Sequence, residues 1–229
     1  MAIKKTALTC AVLCVTLWSA RGADASLVGD NSGKTVYDTV TNQTWLADAN
    51  LAASNTFGVK GINKDGSMSW TTAHAWIGKM NAKTYLGSKH WSLPATALPD
   101  NGCSQNPKSA AFGFGCTSSG MGNLFYNQLG GAKGSTIQQK HNADFLLFRH
   151  FTPYLYWSST LWKKVPKSSF SFSFGNGFQG TNVWVNNLYA IAIAPGKVGN
   201  FSRRSSPTPR PRHTIAPKCP PGMKCPKPV

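Results

Sequence analysis

The chain reads as an α+β domain, on three observations. One stretch spaces its apolar residues as a helix does, a second does so over a shorter span, and the C-terminal third alternates aromatic with small residues. In the first, Trp70, Ala73, Trp76, Ile77 and Met80 recur at three- and four-residue steps, which gathers them on one helix face. Ser69 or Thr71 supplies the capping oxygen ahead of that run. The second spans Gly122 to Leu129, with Leu124, Phe125 and Leu129 apolar and Gly130 just past its end. Strands follow. Phe170, Phe172 and Phe174 alternate with Ser169, Ser171 and Ser173, and Tyr189, Ile191 and Ile193 alternate with Ala190, Ala192 and Ala194. Gly, Asn and Ser punctuate the chain between these elements, so long loops and turns are expected.

Composition divides the chain into three parts. Residues 1–25 read as an export signal: Lys4 and Lys5 precede an apolar run from Ala7 to Leu17, and Ala23-Asp24-Ala25 offers a cleavage site. That run is too short for a membrane span, so no transmembrane segment is expected after cleavage. Residues 26–196 form the domain, with ~170 residues able to bury a substantial core. Residues 197–229 turn abruptly to Arg, Pro, Ser and Lys, with Pro207, Pro209 and Pro211 spaced by Thr208 and Arg210. Such composition predicts a flexible, extended tail closed by a small Cys219-to-Cys225 loop. The product is expected to be secreted, periplasmic or held at the cell surface.

Export bears on the cysteines. Outside the signal there are four, Cys103, Cys116, Cys219 and Cys225, and an even number in an exported chain favours disulfides. Of the three possible pairings, Cys103–Cys116 and Cys219–Cys225 close short local loops, each worth about 2–3 kcal/mol.

Charge is lopsided. The chain has 24 Lys and Arg against 7 acidic residues, all of them Asp, for a net +17. After cleavage the balance is 21 − 6, or +15. A field of that sign attracts polyanions. The absence of Glu also removes the most obvious general acid–base candidates.

Few constellations suit catalysis. Gly175-Asn176-Gly177-Phe178-Gln179-Gly180 matches a dinucleotide fingerprint in letters, but the strand-like Thr181 to Val185 follows where a helix is required. Asn176-Gly177 reads instead as a hairpin turn. Asp48, Asn50 and Asp65 are the oxygens a calcium site would draw on, and six Asp without Glu are few for one. Asp48 reads better as a cap on the following turn and Asp65-Gly66 as a turn. His74, His90, His141, His150 and His213 lack ligand spacing, and no nucleophile elbow occurs. No enzyme, metal or other cofactor is therefore expected.

Spaced motifs carry a resemblance. They are Asp38 to Asn50, which includes Asn42-Gln43-Thr44-Trp45-Leu46-Ala47-Asp48; then Trp70, Ala73 and Trp76; then Trp91-Ser92-Leu93-Pro94; then Tyr156-Trp157-Ser158-Ser159; and last Ile193-Ala194-Pro195. From about Val36 to Gly196 the chain resembles the Lcl C-terminal domain family, exported bacterial domains named after a collagen-like adhesin. The resemblance implies a C-type-lectin-like fold, similar to formylglycine-generating enzymes, in which two short helices flank a small irregular antiparallel sheet. It makes Trp45, Asp48, Trp91, Pro94 and Trp157 structural residues. Two departures stand out: Ser92 and Ala194 occupy positions that are usually Arg.

The expected function is an exported binding module for an anionic or sulfated polysaccharide or a cell-envelope polymer. The adhesin that names the family binds such glycans, which supports this by analogy. Trp162 with Lys163, Lys164 and Lys167 reads as a loop-borne aromatic beside cations. Arg203, Arg204, Arg210 and Arg212 read as a polyanion-binding arm. Export makes cytosolic nucleic acid an unsuitable partner. The alternative is a structural envelope or appendage subunit whose tail docks a protein partner.

Overall fold

The computed structural model describes residues 26–105 and 110–201, and the expected signal, residues 1–25, and most of the Arg/Pro tail lie outside them. Seven short strands form two antiparallel sheets. The first contains β1 (Leu27–Gly29), β2 (Thr35–Asp38), β3 (Gln43–Leu46) and β7 (Ile193–Pro195), in the order β1-β2-β3-β7. The second contains β4 (Leu155–Leu161), β5 (Ser168–Ser173) and β6 (Gln179–Val183), in that order. The fold is α+β, with two small sheets where the sequence pointed to one.

The two helices form where apolar spacing placed them. Helix α1 (Trp70–Ala82) is capped by Ser69, whose side chain accepts from the Thr72 amide. Of the two candidate caps, Ser69 is therefore the one used. Helix α2 (Gly120–Asn123) runs on into a π-helical turn (Leu124–Gln128), and Gly130 follows with φ +72°. That left-handed value costs glycine little.

One rule organises the core. Neighbouring residues along a strand face opposite ways, and here each face meets its own apolar cluster. Trp45 enters one cluster and Leu46 the other; Tyr156 enters one and Trp157 the other. Ile191 and Ile193 join the first, with Ala190, Ala192 and Ala194 in the second. Met121, Leu124 and Phe125, from α2 and its continuation, fill the first cluster. Ala73, Trp76, Ile77 and Met80, from α1, fill the second. The strands thus form a wall between two cores with a helix on each side. All six residues of β5, the central strand of the second sheet, are buried, and Ser169 and Ser171 accept hydrogen bonds from Trp184 and Asn182.

The stretch from Leu188 to Pro195 joins the two sheets. Leu188 bridges Met68, Tyr189 bridges Tyr156 of β4, and Ile193 bridges Ser92 and pairs with Trp45 of β3. Only its last three residues form β7, because its pairing passes from one sheet to the other. The motif tryptophans Trp45, Trp91 and Trp157 are all buried. Indole N–H groups reach carbonyls at Tyr85 from Trp91 (2.8 Å), at Met68 from Trp157 (2.8 Å) and at Asn55 from Trp76 (2.9 Å). Pro94 is buried and its carbonyl accepts from the Ser159 amide at 3.0 Å. Ala194 is also buried, whereas Ser92 is exposed and exchanges backbone hydrogen bonds with Ile193.

Packed chain continues past Gly196, where composition changes. The Val198 carbonyl accepts from Thr35 Oγ1 at 2.8 Å, and its amide donates to Thr44 Oγ1 at 3.0 Å. Lys197 Nζ lies 4.5 Å from the Phe201 ring centroid and 5.5 Å from that of Tyr37. The change of composition therefore precedes the end of the packed segment, because backbone bonds of Val198 to Thr35 and Thr44 and the Phe201 ring against Tyr37 hold residues 197–201.

Candidate functional site

Burial separates the charges by sign. Of the six carboxylates in residues 26–195, Asp30, Asp38, Asp48 and Asp100 are buried. Each holds a loop. Asp100 accepts from the amides of Gly102, Ser118 and Ser119 and from the Ser119 hydroxyl, at 2.8–3.1 Å. Asp38 accepts from the amides of Val40 and Thr41, the Thr41 hydroxyl and the Gln128 amide. Asp30 accepts from Ser32, Lys34, Thr35 and Asn200; burial opposes its ionisation, and those bonds outweigh it and lower its pKa.

The cations face outward. All twelve described lysines are exposed, and none of them pairs with a carboxylate among the described residues. Arg149, exposed too, has its Nε 3.5 Å from Asp48, which also faces His150 Nδ1 at 3.0 Å. Burying anions in backbone amides while leaving cations in water makes the outer surface more positive than the net charge suggests.

The expected basic loop is the turn between β4 and β5. The Trp162 amide donates to the Ser168 carbonyl at 3.0 Å, and Ser168 Oγ donates to the Val165 carbonyl at 2.7 Å, closing the turn. Lys163, Lys164 and Lys167 are all exposed there, Lys167 with φ +52°. Trp162 is half-buried, edge-on to Phe112 and Phe170, and Lys164 Nζ sits 5.2 Å from its ring centroid. It anchors the turn and has a cation over its ring, so it differs from the open aromatic platform read from sequence.

An aromatic stack nearby escaped the sequence reading. Trp70 and Trp184 stack at 4.5 Å with 12° between their planes, and His74 lies 3.9 Å from Trp70. Their N–H groups bond inward to Ser158 and Ser169, leaving carbon surface outward. The Trp184 amide donates to the Lys167 carbonyl at 2.8 Å, which ties this stack to the basic turn. Contact with Trp70 desolvates the imidazole of His74 and lowers its pKa. Trp70 and Trp184 are far apart in sequence, so only the paired loops bring them together.

The remaining expected residues fall in several places. Cys103 and Cys116 form a buried disulfide with Asp100 beside it. Asp48 caps its turn by accepting from the Asn50 amide at 3.1 Å. Asp65 accepts from the amide and hydroxyl of Ser67, which lowers its pKa. Asn176-Gly177 turns the chain between β5 and β6, with the Gly177 amide bonded to the Ser173 carbonyl at 2.8 Å. His90, His141 and His150 lie on exposed loops. Arg203, Arg204, Arg210, Arg212, His213, Cys219 and Cys225 lie outside the described residues. Among the described residues, no helix is long and apolar enough to cross a membrane. No family model, curated protein or solved structure matches this chain.

Proposed function

We propose that this protein is an exported, non-catalytic binding module for an anionic or sulfated polysaccharide of the cell surface or envelope. The lectin-like kinship suggested by its motifs belongs to the same reading. The observation that carries it is the separation of charge: buried carboxylates hold loops, and every described lysine projects into water. A polymer of regular negative charge gains from many such contacts and releases its condensed counterions, so binding falls steeply with salt. Lys163, Lys164 and Lys167 form one contact region, and Arg203, Arg204, Arg210 and Arg212 of the tail add a second. The buried disulfide is consistent with an oxidising compartment.

Retention on a heparin column tests the reading, comparing the full chain with a form ending at Phe201. That end preserves the packing of Val198 and Phe201. Both forms are expected to elute well above ~0.15 M salt, the full chain later. Elution of both near that salt refutes the reading.

A further inference from the structure

One cleft is lined by uncharged polar and apolar residues, with Asp38 the single carboxylate among them. Its volume is about 430 Å³, within the range of small-ligand sites. Three segments wall it: the β2–β3 turn from Asp38 to Gln43, the stretch Ala95 to Ala97 that follows the Trp91-to-Pro94 motif, and the loop Thr117-Ser118 leading into α2. Trp45, Gly120, Asn123 and Ile193 complete it, and among the described residues no lysine or arginine lines it.

Each wall is held rigidly from behind. The four acceptances by Asp38 set the first. Thr96 sets the second, its amide donating to Thr160 Oγ1 at 2.9 Å and its hydroxyl to Ser158 Oγ at 2.9 Å. Asp100 sets the third through the amides of Ser118 and Ser119, and Ser119 Oγ ties it to the second by accepting from the Ala97 amide at 3.1 Å. With Asp38 and Thr96 engaged, other lining groups are left to act. Among the described residues the side-chain amide of Gln43, the hydroxyls of Thr117 and Ser118 and the NH2 of Asn123 have no intramolecular partner. Trp45, only 2 % exposed, likewise has an indole N–H without an acceptor.

We infer that this cleft is a binding site for one neutral pyranose unit. The unengaged groups are uncharged donors and acceptors, which match sugar hydroxyls. Val40, Ala95 and Ala97 supply apolar surface for ring C–H groups. A phosphate, sulfate or carboxylate would find no cation here. The site therefore acts by shape and hydrogen bonding, separately from the electrostatic surface, and would read an uncharged residue of a glycan or a chain end.

The test is two-dimensional 15N NMR of the purified protein titrated with D-galactose, L-fucose or N-acetyl-D-glucosamine. Loss of a side-chain NH2 pair in Gln43→Ala and in Asn123→Ala identifies the two reporters. At least one sugar is expected to shift both pairs saturably, with an affinity that does not change between low and high salt. Gln43→Ala/Asn123→Ala is expected to weaken that affinity about tenfold, the effect of two neutral hydrogen bonds. If none of the three sugars moves either pair, or the shifts disappear at high salt, the inference is overturned. If the double variant misfolds, the wild-type titration alone decides. Heparin retention is independent of this result, so either reading can fail without the other.

Discussion

Trp184 lies flat against Trp70, ring centroids 4.5 Å apart, and the Trp70 amide donates to the Trp184 carbonyl at 3.0 Å. The contact joins the start of α1 to the chain leaving β6. The Trp184 amide in turn holds Lys167, so one residue links the first helix to the basic turn. A loop rich in lysine needs such an anchor, since mutual repulsion would otherwise spread its cations.

Trp184→Ala is expected to destabilise the domain by about 2 kcal/mol, below the range for fully buried tryptophans because the ring is half-exposed. Chemical denaturation at neutral pH measures it. Retention on heparin should hardly change, because alanine keeps the backbone amide that donates to the Lys167 carbonyl.

Partial burial beside Trp70 lowers the pKa of His74 below the ordinary value. A depressed folded-state pKa means that the unfolded chain binds the proton more tightly. The stability this contributes is present above the unfolded histidine value of ~6.5 and is lost as pH falls through the lower folded value. NMR titration of the imidazole should give a midpoint below ~6.5. His74→Gln should flatten stability against pH in that window.

The Cys103–Cys116 disulfide spans a sequence separation of 13 residues. Cys103→Ser/Cys116→Ser is expected to cost about 3 kcal/mol, in line with loop-closure entropy for that length. Denaturant midpoints of the two proteins compare this directly. Reductant should shift the wild type towards the variant and leave the variant unchanged.

Asp100 is fully buried and holds the Ser118-Ser119 wall of the cleft. Asp100→Ala strands three amides and a hydroxyl, each costing about 1–3 kcal/mol when left unsatisfied. Thermal unfolding should show one of the largest losses of any single substitution in the domain. Asp100→Asn keeps the size and one carbonyl oxygen, and is expected to lose less.

Lys163→Gln/Lys164→Gln/Lys167→Asn removes three cations from the β4–β5 turn. Asn suits position 167, where φ is +52°. The salt needed for elution from heparin should fall clearly. The melting temperature should hardly move, since these exposed side chains form no ion pair and the turn is closed by its backbone.

The sequence by itself determined the local elements of this protein. Helix α1 with a cap at Ser69 or Thr71, the hairpin turn at Asn176-Gly177, the strand over Phe170 and Phe172 and the Cys103–Cys116 pair all follow from spacing over short stretches of chain. Each depends on neighbours along the chain, where periodicity and turn chemistry act. The charge imbalance was equally plain. Tertiary structure alone decided which face of each strand meets which core, and so placed Trp45 and Leu46 on opposite sides of one wall. It also decided that four of the six carboxylates in the domain go inside, that Trp162 anchors a turn and that Trp70 meets Trp184. The cleft between Gln43, Thr96, Ser118 and Asn123 belongs to the same class. These residues share no period and sit in four separate segments. Their convergence follows from two sheets being joined through a single stretch, Leu188 to Pro195, whose partners lie far away in sequence.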